Sequence, residues 1–422
     1  MPAPAIERDR SLERAVTAYI ATGLFFMLLP GTFLGVWNLI SISSRRALES
    51  LSPAWIQAHG HAQIYGWIGT FVIGIGYFSL SKMGRPRHAT VARAWISFAL
   101  WAPGVALRWL GNVTAWHWRA VLPLSAWLET AGFLVFLVTV SGHRPAPSPA
   151  PRGREPWMLL VAGSSFGLLT ALVLNLFAVF DAAWRGAGPE ISHAIDQRML
   201  ALPTWGFLVP MVWGFNARWL PGFLGLRTPN RKRLLAALGL AWAGAVLTLA
   251  GQALIASGFL LAAGVAAISA LHIFEPGAGP VRIQGVHASF GFFVRFAYFW
   301  LFAAACLTVW AALADQHGGI WGASRHALTV GFLSVMVFSI GPKMLPAFCG
   351  VRGLFSRKLM FWSLAALTLG CALRVGAEIP AYEGFAAFAW RVLPVSAVVE
   401  LIAVSLFALN LGLTITSRPS SR

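Results

Sequence analysis

Three histidines stand at recurring places in the chain. His61, His193 and His326 are each followed by Ala, each opens an apolar run, and they lie 132 and 133 residues apart. Neutral imidazole is the commonest protein ligand for haem iron and copper, and a low-spin haem takes one histidine from each of two facing helices. The alternative is a set of interfacial or core histidines bonded to backbone. His59 lies two residues before His61, and successive helix positions turn by about 100°. The two rings therefore face different ways, and they serve two sites, such as a haem and a copper, or His59 caps its helix. Asp196, three residues after His193, shares its face and can fix the imidazole tautomer; a solvated position at the helix end is its other reading.

Ionisable residues within apolar runs are costly and face a cavity or a partner. GVALR at Gly104–Arg108 recurs as GCALR at Gly370–Arg374, with a weaker echo, GQALI, at Gly251–Ile255. LPLSAWLE at Leu122–Glu129 recurs as LPVSAVVE at Leu393–Glu400. These repeats predict two buried ion pairs, Arg108 with Glu129 and Arg374 with Glu400. Functionally, the same arginines can hold haem propionates. Arg295, within FGFFVRFAYFW, has no repeat counterpart and can anchor a propionate or neutralise Glu129 or Glu400. His88, His272 and His287 fall towards the cytoplasmic side, and His117 and His317 in outer loops, away from these candidates. Cys306, Cys349 and Cys371 form neither a Cys-x-x-Cys pair nor a haem-attachment motif, which speaks against disulfides and covalently attached haem.

The elements that must position these groups follow from composition. Of 422 residues, 58% are hydrophobic and 11% charged, which excludes a soluble enzyme, a disordered tail protein and a disulfide scaffold. At about 20 residues per span, the apolar stock suffices for about a dozen helices. Runs near 15–42, 58–80, 93–112, 119–141, 157–180, 193–217, 234–256, 258–274, 284–313, 326–348, 358–378 and 388–416 make twelve. The predicted fold is an all-α polytopic membrane protein. With an internal N-terminus, twenty Lys and Arg residues fall in cytoplasmic segments, while only Arg45, Arg46, Arg119, Arg185 and Arg325 lie outside. The net charge of +18 is therefore an orientation signal rather than a nucleic-acid footprint. The expectation is a multi-pass protein of the bacterial inner membrane with both termini cytoplasmic. The stretch 143–156, HRPAPSPAPRGREP, reads as a Pro-rich cytoplasmic linker within one membrane domain. Three parallel four-helix repeats are predicted, at about 15–141, 157–274 and 284–416, with the histidines on helices 2, 6 and 10.

HGHAQIYGWIGTFVIGIGYF (His59–Phe78) and HALTVGFLSVMVFSIGPK (His326–Lys343) resemble the signature segments of the NnrS family. That resemblance implies a polytopic membrane protein containing haem and copper and tied to the bacterial response to nitric oxide. His59, His61 and His326 match the family's histidine motifs. The implied haem is non-covalent, of the b type, with His61 and His326 as ligands, while His59 and His193 are candidates for copper or a second axial position. The family's Asn-Trp-containing end after helix 2 is replaced here by SLSKMGRP. The three-arc plan also resembles subunit I of haem-copper oxidases and nitric oxide reductases. A single His in helix 10, and no His pair in helix 7, cannot supply that pattern's three-histidine copper site.

Overall fold

A computed structural model of the chain describes residues 3–47, 50–83, 88–142, 155–351 and 353–417. The linker at 143–156 falls outside them as far as residue 154. So do Arg85, Arg87, Arg144, Arg152, Arg154, Arg352, Arg418 and Arg422 of the charge count. The described residues are mostly helical, joined by short turns and by a longer irregular segment at 271–289. Counted through their internal π-turns, the helices are α1 (residues 3–45), α2 (53–83), α3 (His88–Thr114), α4 (Trp118–Ser141), α5 (Pro156–Arg185) and α6 (193–224). They continue as α7 (Arg231–Leu249), α8 (Ala253–Ala270), α9 (Phe290–Ala314), α10 (Gly319–Phe348), α11 (Arg357–Tyr382) and α12 (Ala389–Thr416). Ten of these, all except α2 and α6, are long and apolar enough to cross a membrane. The chain is thus an all-helical polytopic membrane protein.

Several predicted boundaries move. The break expected at Ser257 falls at Ala250–Gln252, because Gly251 takes a left-handed turn (φ 78°) that ends α7. GQALI therefore straddles that turn and start of α8, and does not repeat GVALR within a helix. α2 and α10 also begin earlier than hydropathy suggests, at Pro53 and Gly319. Their first turns, PAWIQAHG and GIWGASR, are mixed in polarity and dilute an apolar window, yet they fold as helix.

Among the described residues, four helices contain a π-turn, which adds one residue to a helical turn. Those in α2, α6 and α10 span Ala62–Gly69, Leu202–Leu208 and Ala327–Ser334. The fourth, Met27–Phe33 in α1, includes Pro30. In three of the four a hydroxyl reaches back five residues to a carbonyl: Thr32 to Met27, Thr70 to Tyr65 and Ser334 to Thr329. These bonds satisfy acceptors that the widened turn would otherwise leave open.

The π-turns correct the alignment of the middle histidine. Counting back from each turn, His61 and His326 correspond to Ala201, and His193 lies eight residues before that position. The residue five further on is glycine each time, Gly66, Gly206 and Gly331. At each of these the preceding helix closes in. A Cβ on Gly66 would meet Phe26 at 2.9 Å, one on Gly331 would meet Trp300 at 2.5 Å, and Gly206 O lies 2.1 Å from the place a Cβ would take on Gly167. The hairpins α3–α4, α7–α8 and α11–α12 pack along their lengths.

Candidate functional site

His61 is buried, with Nε2 2.8 Å from Oε1 of the wholly buried Glu129 on α4. Its ring stacks on Tyr65, with centroids 4.5 Å apart. Glu129 fits because Gly104 offers no Cβ; one built there would lie 2.9 Å from Glu129 Cγ. The same notch recurs at Gly370, where a Cβ would lie 2.6 Å from Glu400 Cγ. The repeated Gly and Glu are thus a packing motif that brings the carboxylate against the neighbouring helix.

His59 and His326 are held differently. His59 Nδ1 lies 2.8 Å from Gly31 O, and His326 Nδ1 lies 3.0 Å from Gly322 O, with Glu378 Oε2 beside it at 3.1 Å. A carbonyl only accepts, so Nδ1 carries the proton in both rings and the Nε2 lone pair is left uncommitted. Gly35 makes room for His59, since a Cβ there would sit 2.5 Å from the ring. Arg374 lies close enough to His59 for its charge to act on it.

The predicted ion pairs are partly redrawn. Arg374 Nη2 binds Glu378 Oε1 at 3.1 Å, one turn along its own helix, instead of Glu400. Arg108 lies within electrostatic reach of Glu129 and Asp196, but Glu129 Oε1 is engaged with His61. Nε and Nη1 of both Arg108 and Arg374 are buried without a hydrogen-bond partner, as are Glu129 Oε2 and Glu400 Oε1. Arg108 and Arg374 are only 3% and 8% exposed, so these N–H groups have no water to turn to. Buried donors of this kind mark a place for an acceptor.

Arg295 does not join this cluster. It donates from Nε to Ile273 O at 3.1 Å and from Nη1 to Gly291 O at 3.3 Å, tying the start of α9 to the end of α8. His193 is the exposed first residue of α6, whereas His61 is buried and His326 half-buried. Asp196 is half-buried, and Gln197 donates to it at 3.3 Å. Among the described residues, no three His, Cys, Asp or Glu side chains converge as a metal cage.

A family described as a domain of unknown function, DUF8744, matches residues 278–411. No curated protein matches the chain. The matched stretch runs from just before α9 into α12 and contains His326, Arg374, Glu378 and Glu400.

Sequence reasoning did not identify Gly31, Gly35, Gln57 or Glu378. Gln57 exchanges two hydrogen bonds with the Ile191 backbone, at 2.7 and 2.9 Å, and Asn112 donates to Pro189 O at 2.6 Å. Together they hold the α5–α6 connection against α2 and α3. The signals were present: Gly31 and Gly35 are one turn apart, as are Arg374 and Glu378.

Proposed function

We propose that the chain is a haem protein of the bacterial inner membrane that binds or responds to nitric oxide, with His59 and His326 holding the iron. The observation that carries this reading is the posture of those two rings. Each anchors Nδ1–H on a backbone carbonyl and leaves Nε2 free, as metal-ligating histidines do. Arg108 and Arg374, with buried and unpaired N–H groups, suit the propionates of a b-type haem. His61 fits ligation less well, because an iron approaching through Nε2 would have to displace Glu129. Bound haem would supply redox-active iron, and a neutral diatomic ligand would reach it where one of the two imidazoles gives up its place. The protein's own part is to orient the rings through Gly31, Gly322 and Glu378. Copper rests on the NnrS resemblance alone, and no step is assigned to it.

In this reading α2 and α6 also cross the bilayer, making twelve spans with both termini cytoplasmic. The spans form three four-helix units in the manner of haem-copper oxidase subunit I. Recurring π-turns and glycines in α2, α6 and α10 support the division, as does a family match that covers little more than the third unit.

The test is the absorption spectrum and pyridine haemochrome of the purified protein. A Soret band lost in His59→Ala and in His326→Ala, and retained in His61→Ala, is expected. Iron-free, colourless protein would overturn the proposal, and loss confined to His61→Ala and His326→Ala would restore the pairing suggested by sequence. The unpaired buried carboxylate oxygens of Glu129 and Glu400 favour a second reading, a cofactor-free transporter or channel. It expects colourless protein that moves a solute in liposomes. A haem-copper-type oxidoreductase is the third, and it requires turnover of nitric oxide or oxygen with an electron donor.

A further inference from the structure

At the end of α5, away from the histidines, a cleft of about 690 Å³ opens between α4 and α5. Its two ends differ in chemistry. One end carries Arg119, Arg185 and Asp181; the other is formed by Phe177, Phe180 and Pro123. Phe177 is 67% exposed and Trp184, beside the cations, is 86% exposed. Eight residues separate Phe177 from Arg185, so the apolar end lies about 12 Å along the helix axis from the charged one.

We propose that this cleft binds one anionic glycerophospholipid, with the phosphodiester on Arg119 and Arg185 and an acyl chain over Phe177 and Phe180. The charge fits. Two arginines and one aspartate leave a single positive charge, which a singly negative headgroup balances and a zwitterionic one does not. Arg119 is built into the site, because Nη1 and Nη2 donate to Ala183 O at 2.7 Å and Gly186 O at 3.0 Å. Those bonds cover the negative end of α5, which would otherwise repel an anion. They also leave more than half of the five guanidinium N–H groups free for phosphate. The guanidinium is further fixed over the Trp118 ring, 4.6 Å from its centroid. Arg185 pairs with Asp181 one turn before it and is held at the rim. Trp184 stands where an indole sits among headgroups at the membrane interface. The site is independent of the haem reading.

The experiment is native mass spectrometry of the full chain in mild detergent, supplied with equimolar phosphatidylglycerol and phosphatidylcholine. One phosphatidylglycerol retained in preference to phosphatidylcholine is expected. Arg185→Gln removes the surplus charge and brings the two lipids to parity, whereas Asp181→Asn adds to it and widens the preference. Phe177→Gln weakens retention of both lipids. Both charge variants lie on the exposed surface and leave the core intact. Parity in the unaltered protein, retention of neither lipid, or equal shifts in Arg185→Gln and Asp181→Asn would overturn the proposal.

Discussion

His61 on α2 and Glu129 on α4 share a hydrogen bond of 2.8 Å, and the carboxylate has no exposure at all. Removing it leaves an imidazole nitrogen unbonded and deprives the buried Arg108 of a nearby counter-charge. Glu129→Ala should cost about 3–5 kcal/mol, as for other broken buried pairs. Glu129→Gln keeps an amide in reach and should cost about 1–3 kcal/mol. Thermal unfolding in detergent measures both, and equal losses would mean that the charge plays no part.

The notch at Gly370 can be separated from helix propensity on the same element. A Cβ at Gly370 would crowd Glu400 Cγ at 2.6 Å and Ser396 O at 3.2 Å, whereas one at Gly376 meets nothing within 4 Å. Gly370→Ala should destabilise α11–α12 by about 1–3 kcal/mol through overpacking. Gly376→Ala should be neutral or stabilising by up to about 1 kcal/mol. Melting temperatures of the two variants decide the matter.

Gly35→Ala tests the seat of His59. The added methyl would drive the ring from its place, at 2.5 Å from Cε1. On the proposed haem reading, haem content per chain should fall towards that of His59→Ala, while the fold, read by circular dichroism, persists. Unchanged haem content would exclude His59 from the iron.

Gln57→Ala removes both bonds to Ile191. Buried as this amide is, the loss should be about 1–3 kcal/mol, and it is local. Hydrogen exchange at Ile191 should accelerate while exchange in α4 stays unchanged.

Glu383, just beyond α11, gives an acid dependence. Burial opposes its ionisation, but the backbone N–H groups of Gly319, His317 and Gln316 hold its carboxyl below the ordinary 4.5. A folded value lower than the unfolded one means that this stabilisation is complete above 4.5 and is lost as pH falls through the lower folded value. Melting temperature followed through the acid range should drop less steeply in Glu383→Gln than in the unaltered protein.

Much of the bundle was legible, because long apolar runs have few alternatives to spanning helices. The paired motifs ending at Arg108 and Arg374 correctly marked buried cations. Their partners were less readable, since Glu378 on the arginine's own helix competes with Glu400 for Arg374. Spacing alone misaligned His193, because hydropathy starts α2 and α10 late. His61 and His326 appeared to open their helices, although each lies about two turns inside. The π-turns that expose the error leave no simple periodic trace. Asn112, which occupies the position corresponding to Glu378, likewise shows that two closely related units differ in a charge where their motifs match.

The widened turns in α2 and α10 also bear on how these helices can change. Each absorbs one surplus residue. Deleting a single position from 62–69 would therefore tighten the coil to a regular α-turn and leave the two halves of α2 in phase, His59 and His61 still towards α1 and α4 and Gly74 still towards Tyr19. Loss of one amino acid from the regular stretch at 70–79 has no such outlet and would swing the remainder of the helix by about 100°, so it should be the more damaging of the two deletions.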